Sequence, residues 1–302
     1  MMSNGRADLP DLSYFLVIAR HLSFARAAVE LRVTASALSH SMKALEARLG
    51  VRLLHRTNRS VTLTAAGEQL RDSISDPLRA IDGAIEALNR FRDAPAGRIR
   101  LNVVVDAARL LLAPVLPGFV ELYPDIEVDV VASNRLVDVV GEGFDAGIRY
   151  GGTVPEDMIA LRLSRDIRWV VAAAPSYLDR FGTPAHPREL AQHRCVRLRQ
   201  GAGRIYHWEF ERGDEELAID VPGALTIDDT DLGLTLARGG AGLMYGPEPV
   251  FAGALAQGTL RLVLEDWAAV GGGYHLYYSS RRQVPTALRL LADHIRERRP
   301  LG

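Results

Sequence analysis

Two residues, Arg32 and Val33, are all that separate two stretches with helical apolar spacing. The first carries Phe24, Ala28 and Leu31 at intervals of four and three; the second carries Leu38, Met42, Leu45 and Leu49. A connection this short holds two helices at a steep angle against a shared core, the geometry of a helix-turn-helix. Ser23 and Thr34 stand where helix N-caps belong, because their hydroxyls can accept from first-turn amides, and Gly50 suits a left-handed stop. An earlier apolar face, Leu12, Phe15, Leu16 and Ala19, predicts a further helix to pack with them. Downstream, RTNRSVTLT (56–64) places Asn58 at a turn and alternates Val61 with Leu63, the pattern of a two-stranded wing.

Opposite the apolar stripe of the 34–50 helix stand Ser36, Ser39, His40 and Lys43. At about 100° per residue they fall within a narrow arc. A solvated face usually mixes both signs. This one offers hydroxyls, an imidazole and an ammonium, which suit phosphates and base edges. Residues 1–66 hold nine bases and four acids although the whole chain is −1 at pH 7, so a basic head precedes an acidic body. That asymmetry points to a polyanion-binding module joined to a domain with another task. Thr34 would leave amide dipoles near phosphate, Ser36 and Ser39 would touch phosphate or bases, His40 would read a base, and Lys43 would meet phosphate. Arg56 and Arg59 flank the wing turn and would reach backbone or minor groove, the plain alternative being ordinary surface arginines. Ser23 and Ala35 complete the candidate DNA-binding set. Glu46 reads as a structural partner inside the head.

Leu70, Ile74, Leu78, Ile81, Ile85 and Leu88 predict a long helix over 65–93, with Pro77 expected to kink it. Its single stripe pairs either with its own domain or with the same helix of a second chain; we favour the second. APAGRIR (94–100) reads as a hinge. Beyond it the rhythm changes to strands in RIRLNVVV, DIEVDVV, DAGIRY, WVVAAA, CVRLR, AGLMYG and YHLYYS. Helices are expected in 109–124, 135–144, TDLGLTLARGG and an arginine-rich 285–299. Such alternation argues a parallel α/β sheet. Cys195 is the single cysteine, which excludes an internal disulfide and a thiolate metal cage. The histidines lack metal spacing, and neither glycine-rich stretch follows a strand and opens a helix as a dinucleotide site requires. No metal, cofactor or enzymatic role is therefore expected. The start of the chain has no apolar leader and no run long enough for a membrane span, so a cytoplasmic location with no membrane partner is expected.

Taken as an ordered set, Phe24, Ala27-Ala28, Leu31, Val33-Thr34, Ala37-Leu38-Ser39, Leu45-Glu46, Leu49-Gly50, Leu53, Arg56-Thr57 and Leu63-Thr64-x-x-Gly67 resemble the LysR-type transcriptional regulators. GFDAGIRYG and GLMYGPEP look like the regulatory half of that family, and DAGIRYGGTVPEDM resembles a CrgA-like subgroup. Ala35 stands where a glutamine is common in the family, which removes a bidentate adenine reader. The resemblance implies an α/β protein overall: an all-α winged helix-turn-helix over 1–66, a linker and dimerisation helix over 67–93, and an effector-binding regulatory domain over 94–302. That last domain would comprise two α/β subdomains of periplasmic-binding-protein type, about 97–166 with 269–302, and about 167–268. It implies double-stranded DNA and a small-molecule effector as partners, a homodimer or homotetramer, and RNA polymerase as a further partner the resemblance admits.

Ligands of open α/β folds sit beyond the carboxyl ends of strands. That rule picks out Asp106 and Ala107, Ser133 and Asn134, Arg149 and Tyr150, Arg199 and Gln200, and Asp229 and Thr230 as effector-binding candidates. Arg149 could clamp a carboxylate, or pair with a nearby acid. The acids at 228, 229 and 231 cap a helix on one reading. On another they disfavour anions and accept hydroxyl or amine groups. Tyr206, His207 and Trp208 could supply an aromatic wall, with Trp208 equally suited to a core. A transport solute-binding protein and an α/β enzyme are the competing classes; the first predicts a signal peptide and no basic helical head, and the second would be favoured by turnover in the isolated body or by a metal or cofactor that co-purifies stoichiometrically.

Overall fold

The structure is a computed structural model describing residues 9–56, 60–86, 95–155, 157–200, 203–279 and 284–302. The chain divides into two compact units, residues 1–91 with 141–143, and 92–140 with 144–302.

The first unit opens with α1 (Leu9–His21), α2 (Phe24–Leu31) and α3 (Ala35–Leu49). Ser23 accepts from the Arg26 amide and Thr34 from the Ala37 amide (3.1 Å), so both expected caps form. Arg32 makes the turn in the left-handed region (φ 54°), and Gly50 ends α3 there as well (φ 70°). Phe15, Ile18, Leu38, Met42 and Leu45 are fully buried in one core. Leu49, the last member of the expected stripe, is exposed instead, because α3 ends at its turn and the chain leaves the core side. The wing strands β1 (Leu54–Arg56) and β2 (Val61–Leu63) pair antiparallel, with Leu54 opposite Leu63. Thr57, Asn58 and Arg59 lie outside the described residues.

The long helix α4 is described over Ala65–Glu86, with Pro77 inside it. Its start is locked to the wing. The Thr64 hydroxyl donates to the Arg52 carbonyl (2.7 Å) and accepts from the Gly67 amide (3.0 Å). A Cβ on Gly67 would stand 2.1 Å from the Leu53 carbonyl oxygen, so only glycine permits this approach. Leu70 and Ile74 pack on the head's own core, whereas Ile81 is exposed. The stripe thus serves its own domain in its first half. Leu88 and the end of the expected helix lie outside the described residues.

The second unit holds two lobes. In the first, β3 (Gly97–Val103), β4 (Ile126–Ala132), β5 (Ala146–Tyr150), β6 (Met158–Arg162) and β16 (Tyr274–Ser279) form a sheet in the order β4-β3-β5-β16-β6. Helical turns over Val105–Leu112 (α5 with a wider turn), α6 (Leu116–Leu122) and α10 (Thr286–Arg298) accompany it. Leu101, Ile148, Phe119, Leu288 and Leu291 fill its core. In the second lobe, β7 (Ile167–Ala173), β8 (Cys195–Gln200), β12 (Leu225–Ile227), β13 (Leu243–Pro247) and β14 (Arg261–Val263) run in the order β12-β8-β13-β7-β14. The helices α7 (Pro175–Phe181), α8 (Thr230–Arg238) and α9 (Glu248–Ala256) belong to this lobe. So do the short strands β9 (Arg204–Ile205) and β15 (Val270–Gly271), the latter antiparallel to β7, and the hairpin β10 (Trp208–Arg212)–β11 (Glu215–Ile219).

Two expectations are corrected here. The sheets are mixed, not parallel: β16 runs antiparallel to β5 and β6, and β13 antiparallel to β7. The cause is that the chain passes between lobes twice and re-enters the first sheet from the opposite end. Leu163 donates to the Tyr274 carbonyl and Tyr274 to the Ser164 hydroxyl (both 2.8 Å), so the two passages lie side by side. Nor is 135–144 a helix. The Ser133 hydroxyl accepts from the Arg135 amide and the Asp138 carboxylate from the Val140 amide, side-chain caps that divert the backbone. Gly143 is at φ 73°, and Val139 and Phe144 instead pack a small core with Tyr277.

Candidate functional site

The first candidate surface is the outer face of α3. Leu38, Met42 and Leu45 are fully buried beneath it. Thr34, Ala35, Ser36, His40 and Lys43 are exposed and Ser39 half-buried, so the predicted set shares one accessible face. Ser23 is half-buried at its cap. Glu46 lies on the same helix but turns inward. One of its carboxylate oxygens accepts from the Leu53 (2.9 Å) and Leu54 (3.1 Å) amides; the other takes the Arg56 guanidinium at 3.0 Å. Arg56 also donates to Ser39 (3.4 Å) and lies 4.9 Å from the centre of the Phe24 ring. It is therefore held within the head rather than extended from the wing. It fixes β1 against α3. Arg59 lies outside the described residues.

The second candidate surface is the junction between the lobes of the regulatory unit. Asp106 follows β3, Tyr150 ends β5, and Thr230 opens α8 in the other lobe. Tyr150 (2.9 Å) and Thr230 (3.1 Å) both donate to the same Asp106 carboxylate oxygen, and Tyr274 donates to the Tyr150 hydroxyl (3.0 Å). Asp106 is 8% exposed. Burial raises its carboxyl above the usual range; the two hydroxyl donors and Arg109 oppose that shift, and Asp229 adds to it. Burial likewise raises Tyr150 and Tyr274. Asn134 spans the junction too, accepting from the Val105 amide (3.1 Å) and donating to the Asp228 carbonyl (2.7 Å). Asp229 caps α8 by accepting from the Leu232 amide (2.8 Å), and Arg109 pairs with Asp231 at 2.6 Å.

Other candidates fall elsewhere. Arg149 alternates to the opposite face of the first sheet, 2% exposed, and donates to the Asn102 side chain and to the Ile148 and Arg135 carbonyls. It thus fastens the 133–145 segment instead of facing the junction. Ala107 is fully buried in the core of the first lobe. Ser133 caps its own turn. Arg199 and Gln200 are exposed and pair with β9. Trp208 is core, stacked on Tyr245 at 5.5 Å. Two residues of the junction escaped the strand-end rule. Tyr274 begins a strand, but its register opposite Tyr150 requires the antiparallel pairing. Trp169 sits early in β7, yet its ring lies 5.1 Å from that of Tyr150.

A winged helix-turn-helix head carrying a basic, hydroxyl-rich helix face, followed by a two-lobed α/β body, defines the class of ligand-responsive DNA-binding regulators. Residues 9–68 match the bacterial regulatory helix-turn-helix proteins of the lysR family, and residues 92–300 match the LysR substrate binding domain. The chain belongs to the LysR-type family of transcriptional regulators, DNA-binding proteins with an effector-binding domain and not enzymes. It is 40% identical to a putative transcriptional regulator of Pseudomonas aeruginosa over 98% of this chain and 97% of that protein. It is 38% identical to the HTH-type transcriptional regulator YcaN of Escherichia coli K12, over 96% and 95%. The solved structure of CrgA, a LysR-type regulator from Neisseria meningitidis, matches with a TM-score of 0.61 and 27% identity, covering 96% of this chain and 98% of that one. Among the described residues no helix is long and apolar enough to cross a membrane.

Proposed function

We propose that this chain acts in the cytoplasm as a homodimer or homotetramer that binds operator DNA through residues 1–66, pairs through the helix of residues 67–93, and answers a small metabolite bound by residues 94–302. In that division the regulatory lobes are about 97–166 with 269–302, and about 167–268, and the chain falls in a CrgA-like subgroup. The observation that carries this reading is α3. Its inward face is fully buried at Leu38, Met42 and Leu45, while Ser36, His40 and Lys43 stand exposed on the other side. Such a helix can lie in a major groove while the head packs behind it. His40 reads a base edge, Lys43 and the hydroxyls of Thr34, Ser36 and Ser39 meet phosphate, and Arg56 holds the wing in place. One head makes too few contacts for tight specific binding. Two would read half-sites about one helical turn, or a multiple, apart. The effector binds at the lobe junction around Asp106, Tyr150 and Thr230. It shifts the population of lobe arrangements by binding one of them better, and RNA polymerase is the partner such a shift would reach.

Selection of bound genome fragments by the purified protein, followed by titration at several salt concentrations, tests the reading. The expected result is an enriched motif with two-fold symmetry. Lys43→Ala should weaken binding to every duplex and shallow the salt slope by about one unit. A loss confined to one sequence would remove Lys43 from phosphate contact. A strictly monomeric protein that ignores every duplex would refute the whole reading.

A further inference from the structure

We infer that the lobe junction takes a cationic organic ligand, an amine on a planar or apolar frame, with its ammonium at Asp106 and its frame against Trp169 and Tyr206. This rests on the reading of the junction as the effector site and assigns the chemistry that site selects.

The carboxylate of Asp106 is the starting point. Both of its protein donors, Tyr150 and Thr230, converge on Oδ2. Among the described residues no donor reaches Oδ1, and that oxygen is not closed off from solvent, although the residue as a whole is only 8% exposed. An oxygen left open in this way can take an incoming ammonium through a charge-assisted hydrogen bond. Arg109, the nearby cation, is engaged by Asp231. The other charged groups facing Asp106 are acidic: Asp229 caps the opposing helix and adds to the upward shift of the Asp106 carboxyl. An anion entering here would meet that excess. Arg149, the residue beside Tyr150, is buried on the far face of the sheet, with both terminal nitrogens donating to the Asn102 side chain and to carbonyls, and does not face this carboxylate.

The second observation is aromatic. Rings run without a break across the junction. Tyr274 and Tyr150 lie 4.7 Å apart, Tyr150 and Trp169 5.1 Å, and Trp169 and Tyr206 6.3 Å. Tyr245 stacks beneath Trp169 at 5.5 Å. Trp169 and Tyr206 are only half-buried, so ring surface remains open to a ligand. A carboxylate beside electron-rich ring faces is the pairing that selects ammonium groups, because both attract positive charge and the rings also take the apolar frame.

The test uses the full-length protein in calorimetric titrations with phenethylamine, tyramine and agmatine, alongside the acids phenylacetate and 4-hydroxyphenylacetate. At least one amine should bind saturably, and more tightly than either acid. Asp106→Asn should weaken that amine by about tenfold to a hundredfold, the effect of losing one charge-assisted hydrogen bond. Tyr206→Leu should weaken it without touching the carboxylate, and serves if the Asn variant does not fold. Wild-type affinity should fall as pH drops and the carboxyl protonates; the Asn variant should show a flat profile. Absence of binding by all three amines at millimolar concentration overturns the inference, as does amine binding indifferent to Asp106→Asn. If the acids bind instead and alter affinity for operator fragments, the effector reading stands and this inference falls. If an amine binds through Asp106 but operator affinity does not move, the inference stands and the effector reading falls.

Discussion

Replacing Glu46 by alanine tests how α3 and the wing are joined. Glu46 sits on the helix that faces DNA in our reading, so a purely electrostatic view gives a definite sign. Removing an acid beside a polyanion should tighten binding. The structure predicts the opposite. The side chain accepts two backbone amides, Leu53 at 2.9 Å and Leu54 at 3.1 Å, and holds Arg56 at 3.0 Å. Its own side chain is 14% exposed, so solvent screens these bonds only in part. Hydrogen bonds to a charged acceptor contribute roughly 1.5–3 kcal/mol each. Taking the lower value for both amides gives about 3 kcal/mol, and the half-buried ion pair adds about 1 kcal/mol or less. The alanine variant should therefore lose about 3 kcal/mol locally. Hydrogen exchange followed by mass spectrometry would read this as a fall of roughly two orders of magnitude in protection at Leu53 and Leu54. Protection in α1 and in the regulatory lobes should stay as it was. Duplex affinity should drop, because β1 and Arg56 lose their anchor. Unchanged protection at 53–54, or tighter DNA binding by a fully folded variant, would refute the argument.

Three further outcomes are expected. His40→Ala should flatten preference at one base pair, with about 1–3 kcal/mol of discrimination lost; an unchanged profile in a selection experiment would remove His40 from base reading. Gly67→Ala drives a Cβ to 2.1 Å from the Leu53 carbonyl oxygen and should destabilise by about 1–3 kcal/mol as overpacking does, measured by urea unfolding followed by far-ultraviolet circular dichroism. Asp106 has a folded-state carboxyl raised by burial, so its contribution to stability is intact below the unfolded value of about 3.9 and is lost as pH rises through the folded value. Asp106→Asn should then raise the melting temperature of the unliganded protein at neutral pH but not in acid; equal shifts at both would mean that ionisation is not the cause.

Local order in the head was legible because its signals are short-range. Caps at Ser23 and Thr34, a glycine stop at Gly50 and a 3–4 apolar rhythm act within one turn, and each forms where the spacing places it. Glu46 was legible as a structural acid for a related reason: it is the one acid in a helix whose outer face is otherwise basic or hydroxylated. The inner face of α4 was half legible, since apolar spacing specifies a stripe but not whose core receives it; Leu70 and Ile74 join the head while Ile81 stays exposed. The regulatory half hid more. The stretch 135–144 has helical rhythm, yet Ser133 and Asp138 offer their amides a side-chain alternative and the tertiary core takes Val139 and Phe144. Arg149 is one residue from Tyr150, and strand alternation sends it to the wrong face for the junction. Tyr274 and Trp169 are set in place by antiparallel pairings with segments distant in the chain, Tyr274 opposite Tyr150 and Trp169 opposite Pro247, which no local pattern encodes.

All three tryptophans of the chain, Trp169, Trp208 and Trp267, stand in the second regulatory lobe, and the head has none. Trp169 meets the other lobe ring to ring with Tyr150. The molecule thus carries its own optical gauge: emission excited in the indole band comes wholly from that lobe, and one of its three sources sits where the lobes meet. A change in colour or brightness on adding a metabolite would report on that seam with no dye attached, while duplex capture by the head could be followed separately without interfering light from its own residues.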